Sequence, residues 1–170
     1  MESCRTAELF DQYADTYTSV VAHSTRLSGE GPEYFAHCKL AQLQALLGPE
    51  SPRRLVDIGC GTGLLTALLG RAFSSTEVIG IDLSEQSVAC AAARCAELSN
   101  IRVRVFDGKA LPDVVGVDVA VLANILHHVA RNHRKAFLRE AVLPILRPGG
   151  RVVVFEHNPY NPLTRYAVRA

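Results

Sequence analysis

The chain has 170 residues, of which 48% are hydrophobic and 21% charged, with 18 basic side chains against 17 acidic ones. That length suits one compact domain with a real core. The balanced charge leaves no electrostatic footprint for DNA, RNA or an anionic membrane surface.

The first fifty residues read as helical. Phe10, Tyr13, Tyr17, Val20 and Val21 fall on one stripe at helical spacing. Ser28-Gly29-Glu30-Gly31-Pro32 interrupts it, and a second helix is predicted over 33–47, stopping at Gly48-Pro49. Residues 1–50 are expected to form a helical lid or cap segment on a domain that occupies 51–170.

From there strands and helices alternate: strand 54–58, helix 63–72, strand 77–82, helix 85–98, strand 101–106, strand 117–122, helix 132–146 and strand 151–156. Ser84 and Asn132 stand as N-caps for the helices that follow them. Continuous apolar strands alternating with helices predict an α/β fold. Its sheet should be doubly wound, mostly parallel, of about five strands covered on both faces. The ligand crevice then lies at the carboxyl ends of the strands, and Asp57, Asp82 and Asp107 each close a strand on that edge.

The densest information is Leu55-Val56-Asp57-Ile58-Gly59-Cys60-Gly61-Thr62-Gly63, followed by Leu64-Leu65-Thr66-Ala67-Leu68-Leu69. It reads as a strand, a glycine turn and a helix start, where a ligand can lie against bare backbone near unsatisfied N–H groups. The glycines do not match the G-x-G-x-x-G spacing of dinucleotide sites. A carboxylate at Asp57 disfavours a pyrophosphate and suits a ligand carrying an ammonium or sulfonium group. Asp82, nineteen residues beyond Gly63, is placed to take the ribose hydroxyls of an adenosine. Together these favour S-adenosylmethionine over NAD. Cys60, inside the turn, reads as a small residue filling a tight space rather than as a nucleophile.

These residues resemble the first two motifs of the class I S-adenosylmethionine-dependent methyltransferases, the second being Ile79-Gly80-Ile81-Asp82-Leu83-Ser84. Val105-Phe106-Asp107-Gly108-Lys109-Ala110-Leu111-Pro112 resembles the third motif, and the segment from Asp118 through Asn124 to His127-His128-Val129 the fourth. Leu146-Arg147-Pro148-Gly149-Gly150, with the strand up to Glu156, resembles the fifth. The resemblance covers residues 54–157. It implies S-adenosylmethionine as cofactor, met by Asp57, Gly59, Cys60, Gly61, Gly63, Asp82, Leu83, Asp107 and Gly108. Asn124 either meets the methionine end or packs and caps locally. Tyr17, with Tyr13, either forms a lid over the cofactor or packs in its helix. His127, His128 and His157, with Glu156 behind them, are the candidates for a general base, His128 and His157 foremost; the rival for the His127-His128 pair is local hydrogen bonding within the turn.

Family members end the sheet with a helix and an antiparallel strand pair, for which about thirty residues are needed. The fourteen residues after Glu156 are too few. The last strand pair is therefore expected to be absent: either the chain is a truncated form, or a partner subunit, such as a second copy of the chain, covers the edge of strand 151–156.

The reading is a methyltransferase acting on a small-molecule acceptor, with the acceptor atom (oxygen, nitrogen or carbon) unassigned. A cofactor-binding, non-catalytic protein that works with a partner is the first alternative, and an NAD-dependent oxidoreductase the second. No apolar run is long enough to span a bilayer, and no signal-peptide pattern is recognised. Five cysteines without C-x-x-C or zinc spacing predict reduced thiols, a cytoplasmic location and no metal site.

Overall fold

The structure, a computed structural model, describes residues 31–107 and 114–156. The elements are α1 (Pro32–Leu47), β1 (Arg54–Ile58), α2 (Leu64–Ala72), β2 (Glu77–Asp82), α3 (Glu85–Arg94), β3 (Ile101–Val105), β4 (Val117–Ala123), α4 (Arg134–Phe137) and β5 (Leu146–Phe155). A π-helical turn, Leu138–Val142, and a 3-10 turn, Leu143–Ile145, extend α4 up to β5. The five strands form one parallel sheet in the order β3-β2-β1-β4-β5. The chain reverses its direction of winding between β1 and β4, which is where such sheets open a crevice at their carboxyl edge. The expected α/β, doubly wound architecture is the observed one.

Strand alternation sorts the core into two layers. From β1, Leu55 joins Leu43 of α1, Leu65 and Leu69 of α2, Phe73 and Val78 on one face. Val56 and Ile58 join Ile79, Ile81, Ala120, Leu122 and the Ala141–Ile145 region on the other. Helix α1 thus contributes Leu43, 1% exposed, to the layer beneath the sheet, and Arg151 of β5 donates to the Leu46 carbonyl at 3.1 Å.

The amino-terminal edge of the sheet is closed by polar side chains. Asn100 Nδ2 donates to the carbonyls of Gly70, Phe73 and Thr76 at 3.0, 3.2 and 3.1 Å, tying the end of α2 to the turn before β2. On β4, Asp118 accepts the backbone N–H groups of Arg53 and Arg54, both at 2.8 Å, and pairs with the Arg147 guanidinium. Arg54 in turn pairs with Glu77 at 2.7 Å.

Several predicted boundaries move. Helix 85–98 stops at Arg94: the Cys95 N–H makes the last i→i−4 bond, to Ala91, and the bonds that follow are the tighter i→i−3 kind, Ala96 N–H on the Ala93 carbonyl at 3.4 Å and Leu98 N–H on the Cys95 carbonyl at 2.9 Å. Helix 132–146 starts at Arg134, and the cap is His133 rather than Asn132. The carbonyl of Ala130 accepts the N–H groups of His133 and Arg134, so a backbone turn leads into the helix and no side chain caps it. Pro144, which has no N–H, falls in the tighter last turn. Pairing of β5 begins at Leu146 and not at 151, but Val117 pairs with Leu146 and Val119 with Arg151, so Arg147, Pro148, Gly149 and Gly150 bulge out between them. The Ser84 cap is present: its Oγ accepts Ser87 N–H at 3.0 Å. The first predicted helix, with Phe10, Tyr13, Tyr17, Val20 and Val21, lies outside the described residues.

Candidate functional site

The glycine turn leaves β1 and hooks onto β2 at once: Gly59 and Cys60 both donate to the Ile81 carbonyl, at 2.8 and 3.0 Å. Its three glycines do three different jobs. A Cβ on Gly59 would lie 2.3 Å from Cγ2 of Ile125, and one on Gly63 2.8 Å from Ala91 of α3. Those two positions therefore admit close packing, against the turn after β4 and against α3. Gly61 differs, since a Cβ there would meet nothing within 4 Å. Bare backbone at φ +53° borders open space beside Asp82.

Asp82 shapes this turn. One carboxylate oxygen accepts Gly61 N–H at 2.8 Å and the other accepts Ser84 N–H at 3.0 Å. Leu83 is half-buried against the core layer of β1 and β4. Asp107, two residues beyond β3, is exposed on the same edge.

Asp57 sits deeper than its neighbours. It is 1% exposed on the α2 side of the sheet, and Oδ2 accepts the Thr66 hydroxyl at 2.7 Å. Burial raises its pKa to about 6, against the Thr66 hydrogen bond, with nearby Asp82 raising it and Lys39 of α1 lowering it. Lys39 is itself lowered by burial, which outweighs the attraction of Asp57. At neutral pH the turn therefore lies above one enclosed carboxylate and beside a second, Asp82.

Cys60 is 8% exposed, with its Sγ above Gly80 of β2, where a Cβ would come within 3.2 Å. Burial, with Asp57 and Asp82 adding to it, pushes the thiol far up from its usual range, so it stays protonated and fills space.

At the fourth strand, Asn124 adopts φ +59° and donates its N–H to the Phe155 carbonyl at 2.7 Å. It is the only non-glycine residue of positive φ among the described residues. That kink brings Ile125 over Gly59 and starts the turn that carries His127 and His128, where His128 N–H returns to the Ile125 carbonyl at 3.0 Å. Both histidines are exposed, with ring centroids 3.9 Å apart. Glu156, which follows β5, accepts Leu126 N–H at 2.6 Å and meets His127 Nδ1 at 2.9 Å.

Asp57, Gly59, Cys60, Gly61, Gly63, Asp82, Leu83, Asp107, Asn124 and His128 thus gather at one sheet edge. Gly108, Tyr17 and His157 lie outside the described residues. Two participants have no signal of their own in the sequence: Thr66 under Asp57 and Ile125 on Gly59. Glu156 is singled out there behind the histidines, but its contact with the Leu126 N–H is not. Among the described residues no group of His, Cys, Asp and Glu is arranged to hold a metal, and no helix is long and apolar enough to cross a membrane. Cys38, Cys60, Cys90 and Cys95 are free thiols.

Comparison with known proteins agrees with this geometry. A family model described as a methyltransferase domain matches residues 55–150. Demethylmenaquinone methyltransferase of Tropheryma whipplei is 33% identical over 122 residues, which cover 71% of this chain and 48% of that protein. Trans-aconitate 2-methyltransferase of Mycobacterium tuberculosis is 33% identical over 129 residues, covering 76% of this chain and 46% of that one. The chain spans about half the length of these curated relatives. Among solved structures, Haemonchus contortus phosphoethanolamine N-methyltransferase 1, in complex with phosphoethanolamine and S-adenosylhomocysteine, shares the fold. Its TM-score is 0.70 at 21% identity, over 91% of this chain and 32% of that chain. Sheet order, glycine turn and family match converge: the chain belongs to the class I S-adenosylmethionine-dependent methyltransferase family.

Proposed function

We propose that this chain binds S-adenosylmethionine at the carboxyl edge of β1, β2 and β4 and forms the cofactor-binding part of a methyltransferase for a small-molecule acceptor. The observation that carries the reading is the pairing of a bare turn with an acid: Gly61 borders open space while its N–H is held by Asp82. That combination fits an adenosine ligand, whose ribose hydroxyls suit a carboxylate. The small-molecule acceptors named for trans-aconitate 2-methyltransferase and phosphoethanolamine N-methyltransferase 1 support the acceptor class.

When bound, the cofactor supplies an electrophilic methyl group on a positively charged sulfur. In this reading Gly59, Cys60, Gly61 and Gly63 give the turn its shape, Asp82 and Leu83 receive the ribose side, and Asp107 with Gly108 the adenine side. Asn124 closes the methionine end, and Tyr17 belongs to a lid contributed by residues 1–50. Asp57 acts through its charge beneath the turn, because its carboxylate is enclosed with Thr66. Two carboxylates around the site favour a cation over a pyrophosphate, which is why NAD ranks lower.

Much of the rate of such a transfer comes from alignment, for which effective molarities reach about 10⁵–10⁸ M. Where the acceptor carries a proton, the histidines after β4, His128 among them, and His157 are the groups to remove it. The outer edge of β5 is the place for a partner or a second copy of the chain to pair.

Calorimetric titration of the chain with S-adenosylmethionine, S-adenosylhomocysteine and NAD tests the proposal. Binding of the first two without the third is the expected result. Binding of NAD alone would transfer the site to the oxidoreductase reading.

A further inference from the structure

Among the described residues the carboxylate of Glu156 makes two contacts, and both bear on the turn after β4. Oε1 accepts Leu126 N–H at 2.6 Å, and Oε2 lies 2.9 Å from Nδ1 of His127. With Asn124 N–H on the Phe155 carbonyl at 2.7 Å, the turn is stapled to the end of β5 at two points. The same turn lays Ile125 against Gly59, so it adjoins the glycine loop.

The second contact fixes where a proton sits. An ionised carboxylate only accepts hydrogen bonds, and glutamate is ionised above about pH 4.3 in its ordinary range. A ring nitrogen 2.9 Å from it must then carry hydrogen. In a neutral imidazole, Nδ1–H makes Nε2 the accepting nitrogen. The ring is also confined: His128 lies against it at 3.9 Å between centroids with a 43° tilt. Its side chain remains 33% exposed and that of Glu156 26%, so a solute can reach the ring.

We propose that Glu156 is a positioning residue for methyl transfer: it locks His127 in the Nδ1–H form and so sets Nε2 as a hydrogen-bond acceptor on the turn after β4. The inference rests on the methyltransferase reading and narrows it to acceptors that have a proton to give up, an O–H or N–H group. The acceptor's proton passes to Nε2 and its electron pair forms the bond to the methyl carbon, while the carbon–sulfur bond of the cofactor breaks with its pair left on sulfur, giving S-adenosylhomocysteine. The imidazolium that forms is faced by the Glu156 carboxylate.

Long-range ¹H–¹⁵N correlation spectra of the ¹⁵N-labelled 170-residue chain, taken where the ring is neutral, report which ring nitrogen is protonated. The His127 signals are assigned by their loss in His127→Gln. The expected pattern is protonated Nδ1 and unprotonated Nε2 in the wild type, shifting to the opposite form in Glu156→Gln. In that variant the amide nitrogen can donate to Nδ1 while the amide oxygen still takes Leu126 N–H. A wild-type ring protonated on Nε2 overturns the proposal whatever the variants do, so a variant that folds poorly does not rescue it. An unchanged pattern in folded Glu156→Gln overturns it as well, because a purely structural clamp would leave the tautomer alone. S-adenosylhomocysteine titrated into the same wild-type sample separates the two levels: failure to bind counts against the cofactor reading, and the spectrum alone decides the pairing.

Discussion

The Gly61 N–H donates to Oδ2 of Asp82 over 2.8 Å, so the acid that ends β2 shapes the turn that ends β1. The bond joins two motifs 21 residues apart and places a carboxylate at the mouth of the only glycine of that turn that borders open space. Asp82 is therefore both scaffold and candidate contact, and its removal should be felt twice.

Replacing Asp82 with Ala is expected to weaken S-adenosylhomocysteine binding by roughly 10- to 100-fold, the range for losing a hydrogen bond to a charged group. Asp82→Asn, which keeps one accepting oxygen, should fall between. Calorimetry on the three proteins gives the comparison, and equal affinities would remove Asp82 from the site.

Asp57 sets a stability slope with pH. Its native pKa of about 6 lies above the 3.8 of a free side chain, so the folded state keeps a proton that the unfolded chain has released between those values. This group's contribution is full below about pH 3.8 and is lost as pH rises through 6. Asp57→Asn should remove that part of the slope and stabilise the fold at pH 7 by on the order of 1–3 kcal/mol. The same variant should bind S-adenosylmethionine several-fold less well while S-adenosylhomocysteine, which lacks the sulfonium charge, loses less. Urea unfolding at a series of pH values checks the first half and paired titrations the second. An unchanged ratio of the two affinities would defeat the charge argument.

Gly59 and Gly61 should respond differently to alanine. At Gly59 the methyl meets Ile125 Cγ2 at 2.3 Å on a backbone of φ +73°, and a loss of about 2–4 kcal/mol is expected from strain plus overpacking. Ile125→Ala in the same chain should recover part of it, as contacting sites couple. Gly61→Ala carries only the backbone term, about 1–2 kcal/mol, yet should hinder the ligand. Chemical denaturation of the single and double variants would show whether the coupling exists.

Asp118 is expected to stabilise the opposite edge. Partial burial pushes its carboxyl up, but the Arg54 N–H, the Arg147 guanidinium and the Arg53 N–H together hold it below the usual range. Its contribution is present above the ordinary carboxylate value and is lost as pH falls through the native one. Asp118→Ala should cost about 2 kcal/mol at neutral pH and flatten the acid side of the stability curve. Thermal melts at pH 3 to 7 would read both.

The parts of the site that were legible in the sequence are the local ones. Strand 54–58, the glycine turn, Asp82 and the Ser84 cap each declare themselves within a few residues, through apolar runs, φ requirements and capping chemistry. Contacts across long separations did not. Glu156 reaches Leu126 over 30 positions, and Ile125 meets Gly59 only because Asn124 turns left-handed. Asn132 is a fair cap by residue type, yet the Ala130 carbonyl takes the amides of His133 and Arg134. The bulge at Arg147–Gly150 shows the same limit, since a proline and two glycines signal a turn without saying that strand pairing has begun before it.

Asn100 gives the opposite end of the sheet a use of its own. By gathering three carbonyls it anchors the exposed Ser74-Ser75 turn at both sides, on the edge away from the glycine loop. A fluorescent reporter inserted between Ser74 and Ser75 would then stand on a braced platform and leave the ligand edge uncovered. Binding could be followed by such a sensor without labelling any residue that meets the ligand.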